Sequence, residues 1–120
     1  MIHGIGCDII QIDRVSALIN KYGDHFKNKI FTSQEILNEP EGLRAISYYA
    51  KRLAAKEAFA KALGSGIGPI VGFKDIEIVN NSQGAPIITC DKVNHFIIHL
   101  SLSDEREFAI AYVIIEIKPL

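Results

Sequence analysis

A chain of 120 residues, 48% of them hydrophobic, is long enough for one domain (1–120) with a packed core and too apolar for disorder. Its formal net charge of −1 leaves no global basic footprint for nucleic acid. No apolar run approaches the roughly 20 residues of a membrane span, and Met1-Ile2-His3-Gly4-Ile5-Gly6 lacks the basic start of a signal peptide.

Residues 2–12, rich in Ile, read as a strand. Asp13 is expected to cap a short helix over 14–22, closed near Gly23. Thr32-Ser33-Gln34-Glu35 has the form of a capping box and should open another short helix, stopped by Pro40. A long helix over 42–63, built from strong helix formers, should end at Gly64. Four β-like runs follow at 73–79, 86–90, 96–103 and 107–117, and Asn81-Ser82-Gln83-Gly84 reads as the turn joining the first two. This order predicts an α+β fold, a mainly antiparallel sheet packed on one long helix.

Two acids stand on faces that should be apolar. On a helical wheel Leu43, Ile46, Ala50, Leu53 and Ala54 form the stripe of the long helix, with Glu57 on its centre line and Lys61 one turn on. Arg44, Lys51, Arg52 and Lys56 are expected to point largely the other way. The last turns (Ala54, Ala55, Ala58, Phe59, Ala60, Ala62, Leu63) are apolar almost all round, so a second subunit is a candidate for their extra cover. In the first strand alternation puts Gly4, Gly6 and Asp8 on one face, and the glycines should leave room for a ligand beside the acid. A buried carboxylate must be paired or neutralised. Pattern alone leaves two readings open: structural ion pairs, Glu57 with Lys61 and Asp8 with an Arg, or a shared hard cation such as magnesium, with Lys61 as a point charge for phosphate.

Cys7 and Cys90 are too few and too far apart for a disulfide framework or a zinc site; they read as free thiols of a reducing cytoplasm. His95 and His99, four apart in a strand, would stand roughly 13 Å apart, too far for one metal. Arg14, Lys21, Lys27 and Lys29 against Asp24 make residues 14–29 locally basic, either a patch that can steer an acidic partner or an ordinary solvated helix face. Gly64-Ser65-Gly66-Ile67-Gly68 could approach a phosphate through backbone N–H groups, but a helix C-terminus disfavours anions, and a plain glycine helix stop competes with that reading.

Gly4-Ile5-Gly6-Cys7-Asp8-Ile9-Ile10 followed by Arg14, then Phe31-Thr32-Ser33-Gln34-Glu35, then Arg52-Leu53-Ala54-Ala55-Lys56-Glu57-Ala58-Phe59-Ala60-Lys61-Ala62-Leu63-Gly64 resemble the motifs of the holo-acyl-carrier-protein synthases, small bacterial phosphopantetheinyl transferases. Asp75-Ile76-Glu77-Ile78, Gly84-x-Pro86 and Ser101-Leu102-Ser103 follow in the expected order. The resemblance implies transfer of 4′-phosphopantetheine from coenzyme A to a serine of acyl carrier protein, in support of fatty acid biosynthesis. It implies magnesium on Asp8 and Glu57, a catalytic part for Glu57 and Lys61, and coenzyme A phosphates on Lys61. Arg52, Gly64 and Pro86 are further candidates for coenzyme A, and Arg14 and Lys21 for the carrier. It also implies a homotrimer with active sites between subunits. The base could be Glu57 or a metal-held water.

The sequence departs from the family where Ser103 is followed by Asp104 and Glu105 rather than His, which leaves that position without a role. A cyclase or lyase acting on a diphosphate would carry a zinc-binding His two residues after Asp8, where Ile10 stands. A non-catalytic coenzyme A- or carrier-binding module fits the missing His but not the presence of both acids and Lys61.

Overall fold

The computed structural model describes residues 1–119. Strand β1 (Ile2–Gln11) leads into helices α1 (Ile12–Tyr22), α2 (Asp24–Ile30), α3 (Ser33–Leu37) and α4 (Arg44–Leu63). Strands β2 (Glu77–Asn80), β3 (Pro86–Thr89), β4 (Phe96–Asp104) and β5 (Phe108–Ile117) complete the chain. One antiparallel sheet has the order β1-β5-β4, and β2 and β3 form a separate antiparallel hairpin. The expected α+β class holds, with its strands divided between two sheets.

Local chemistry accounts for most boundaries. The capping box is made on both sides: Glu35 N donates to Thr32 Oγ1 at 3.2 Å and Thr32 N to Glu35 Oε1 at 2.9 Å. Helix α4 stops at Gly64, which takes up φ 88° and donates its N–H to Lys61 O. The Asn81 side chain builds the β2–β3 turn by accepting from the N–H groups of Gln83 and Ala85. Asp13 lies inside the first turn of α1 rather than at its cap, where its carboxylate still complements the helix dipole. Helix α2 was not expected; Gly23 at φ 55° breaks one helix from the next without ending helical structure. The strand expected from residue 73 begins only at Glu77. Asp75 accepts the Gly72 N–H at 2.8 Å and winds Phe73–Asp75 into a single 3₁₀ turn.

Helix α4 runs through the middle of the molecule. Its C-terminal half packs Ala54, Ala55, Ala58, Phe59 and Ala62 among Ala111, Val113 and Ile115 of β5 and Ile78 and Ile88 of the hairpin. Its N-terminal half packs Tyr48, Tyr49 and Ala50 among Val15, Phe26, Ile30 and Phe31. The apolar wrap at the end of α4 is therefore covered by this chain's own strands, and no second subunit is needed there. For the same reason Arg52 and Lys56, expected to face outward, are buried, while Leu43 is almost fully exposed because α4 begins only after it.

Alternation in β1 holds, with Gly4, Gly6 and Asp8 turned inward and Ile5, Cys7 and Ile9 outward. The glycines serve packing rather than a ligand. A Cβ on Gly6 would lie 1.8 Å from Ala58 O, and one on Gly4 1.9 Å from Ala62 O. The missing side chains let the strand press directly on the helix backbone.

Candidate active site

That close approach brings Asp8 on β1 beside Glu57 and Lys61 on α4. Lys61 Nζ donates to Asp8 Oδ1 at 2.9 Å and to Cys7 O at 3.1 Å. Only 11% of the Asp8 side chain is exposed, against 55% of Lys61. The pairing differs from the ion pairs that pattern alone allows: Lys61 bonds the acid of the strand, not Glu57 on its own helix. Asp8 Oδ2 is buried with no hydrogen-bond partner. Glu57 lies against Asp8, and its pKa is pushed up to about 7, first by burial and then by the neighbouring carboxylate. Lys61 is raised above an ordinary lysine, mainly by its bond to Asp8. Two adjoining carboxylates, one with a buried oxygen left without a donor, have the chemistry of a hard-cation site completed by ligand oxygens. Asp8 and Glu57 are therefore the residues that could hold a hard cation such as magnesium.

A groove of about 840 Å³ opens further back along α4. One wall is α4, with Arg44, Ser47, Tyr48, Lys51 and Arg52; the other includes Gln34 and Asn38 beside Val79 and Asn80. A smaller recess of about 310 Å³ adds Gly84, Pro86 and Ser101 and shares Lys51, Arg52 and Asn80 with the groove. Arg52 is the centre of this region. It is only 7% exposed, its guanidinium lies 3.8 Å from the centre of the Tyr48 ring, and its buried Nε has no partner. Burial lowers its pKa. An anion in the groove would supply what Arg52 lacks.

Arg52 and Pro86 thus meet around one opening, while Gly64 lines neither recess and caps α4. Arg14 on α1 is near enough for its charge to favour the ionised form of Glu57. Lys21 is exposed seven residues on, on the same helix face. Lys27 is drawn out of the basic patch by a 2.7 Å bond to Glu39. Asp104, which sequence reasoning left without a role, lines the groove and pairs with Lys51 at 3.3 Å. Tyr48 and Arg44 were missed as groove residues; the aromatic ring beside Arg52 at i, i+4 was the available signal. The histidines do not converge on a metal: His99 meets Glu116 at 2.5 Å and His95 stacks on Phe96.

A model of the 4′-phosphopantetheinyl transferase superfamily matches residues 4–113. The chain belongs to the 4′-phosphopantetheinyl transferase superfamily. Within that superfamily it is 52% identical to a holo-[acyl-carrier-protein] synthase of Wolbachia sp. subsp. Drosophila simulans (strain wRi), over 96% of this chain and 98% of that one. The corresponding protein of Oceanobacillus iheyensis is 46% identical, over 97% of this chain and 98% of the relative. Among transferases of known structure, the crystal structure of the Bacillus anthracis synthase in complex with CoA (3′,5′-ADP) superposes with a TM-score of 0.89 at 41% identity, covering 98% of this chain and 99% of that one. The Helicobacter pylori synthase in complex with coenzyme A gives 0.85 at 32% identity, over 93% and 99%.

Proposed function

We propose that this chain transfers the 4′-phosphopantetheine group of coenzyme A to a serine of apo-acyl carrier protein. The serine oxygen forms the new bond to the β-phosphorus, the bond from that phosphorus to the bridging oxygen breaks, and adenosine 3′,5′-bisphosphate leaves. The observation that carries the reading is the cluster of Asp8, Glu57 and Lys61, two adjoining carboxylates, one oxygen of them without a donor, with a half-exposed ammonium beside them.

Each residue then has a physical part. Asp8 and Glu57 would hold magnesium, which when bound supplies positive charge against the diphosphate oxygens. Lys61, half-exposed on a flexible stem, can exchange Asp8 for a phosphate oxygen as negative charge builds on the leaving group. The base for the serine hydroxyl is Glu57 or a water held by the cation; in the metal-free site burial and the Asp8 carboxylate raise the proton affinity of Glu57, and a bound cation would lower it again. Arg52 and its groove, with Pro86 at the adjoining recess, suit the nucleotide end of coenzyme A. Arg14 and Lys21 would meet the acidic carrier, with Arg14 close to the reacting cluster.

The outer face of the three-stranded sheet supports the proposed homotrimer. It presents Ile5, Ile9, Ile110 and Tyr112 to solvent, an apolar patch of the kind another protein surface covers. Two unpaired cysteines fit work in the cytoplasm, and fatty acid synthesis is the proposed use of the loaded carrier.

The test is to incubate the protein with coenzyme A, magnesium and apo-acyl carrier protein, and to weigh the carrier. A gain of one phosphopantetheine mass is expected, and it should vanish with a chelator and in Asp8→Ala. No gain with a competent carrier would sink the reading.

A further inference from the structure

Glu35 and Lys56 are both fully buried, and the reacting cluster uses neither. Lys56 Nζ lies 2.7 Å from Glu35 Oε1 and donates to Ile30 O at 3.1 Å, Phe73 O at 2.9 Å and Ile76 O at 2.7 Å. Glu35 Oε1 also accepts Thr32 N, and Oε2 accepts Ile78 N at 2.8 Å. A buried ion pair is a poor device for stability alone, because apolar residues of similar volume often do as well. The location of its partners is more informative. Ile30 ends α2, Glu35 belongs to α3, Phe73 and Ile76 lie on the segment that leads into β2, and Ile78 lies within it. Lys56 comes from α4.

Three of these elements, α3, β2 and α4, carry the two walls of the 840 Å³ groove. Arg44, Lys51 and Arg52 stand on α4; Gln34 belongs to α3, and Val79 and Asn80 to β2. Two further bonds run across the same seam, Tyr48 Oη to Glu35 O and Thr32 Oγ1 to Glu77 Oε2. None of these atoms belongs to the side chains that face the groove from α3 and β2.

We propose that the Glu35–Lys56 pair is a strut that sets the spacing of the groove walls, and thereby the affinity for the nucleotide part of coenzyme A, without touching the ligand. The pair holds position, and Arg52 makes the contact. This deepens the function proposed above and rests on it.

Three variants test it: Glu35→Gln, Lys56→Met, and the double Glu35→Leu/Lys56→Met, which removes both charges at similar volume. Each is assayed at a temperature where circular dichroism shows it folded, with adenosine 3′,5′-bisphosphate binding measured by calorimetry. KM for coenzyme A should rise roughly tenfold while kcat at saturation stays within about threefold. Nucleotide affinity should fall in parallel, in the double variant as well. A role in folding alone would leave the folded double variant with wild-type KM. That result, or failure of all three variants to fold, overturns the proposal. A wild-type protein that binds the nucleotide but loads no carrier would remove the transferase reading and leave the strut testable by calorimetry.

Discussion

Burial and the Asp8 carboxylate hold Glu57 at about 7, against an ordinary value of 4.5. Between those two pH values the folded chain binds more protons than the unfolded chain, so stability falls as pH rises through the window. Above pH 7 the whole cost is present. Glu57 is only half-buried, so solvent screening takes back a good part of what a shift of this size would otherwise cost; Glu57→Gln should therefore stabilise the metal-free protein by about 1 kcal/mol at pH 8 and by nothing below pH 4. Urea unfolding at the two pH values measures this, and equal gains at both would refute the assignment. The same variant should lose transfer by at least about a hundredfold in kcat, since the proposed cation site would lose a ligand. Magnesium bound as proposed would also displace the Glu57 proton, so its affinity should weaken as pH falls below about 7, by calorimetry at pH 6 and 8.

Among the elements, β1 and α4 matter most, because their backbone contact places Asp8 opposite Glu57 and Lys61. Gly6→Ala puts a Cβ 1.8 Å from Ala58 O, and a helix carbonyl cannot step aside cheaply. The expected loss is on the order of 3 kcal/mol or more. Transfer should fall even at temperatures where the variant is folded, because Asp8 moves with its strand. Stability and kcat at wild-type levels would show that the contact is softer than its geometry. The glycines were visible in sequence, but their purpose was not, since spacing cannot say whether a ligand or a helix fills the room they leave. The capping box and the Gly64 stop were legible because they involve residues adjacent in the chain. Helix α2 was not, since Gly23 there separates two helices.

For the whole molecule, the apolar surface that asks for a partner is the outer face of the sheet. The end of α4, where the sequence pattern placed it, is covered from within. Ile9 is 61% exposed and Tyr112 47%, on neighbouring strands. Ile9→Lys together with Tyr112→Glu should convert the proposed trimer to monomers in light scattering while leaving circular dichroism unchanged. If active sites lie between subunits, transfer should fall with dissociation. A fully active monomer would contradict that part of the proposal.

The sequence by itself determined the α+β class, the long helix and its stop at Gly64, the acids on apolar faces and the family resemblance. These rest on local propensity, periodicity and residue order along the chain. Only the tertiary structure decided that Lys61 bonds Asp8, that one oxygen of Asp8 stays unpartnered, and that Arg52 and Lys56 are buried. Those facts depend on which element covers each side of α4. A wheel drawn for one helix assumes a single buried face, and here the chain wraps both.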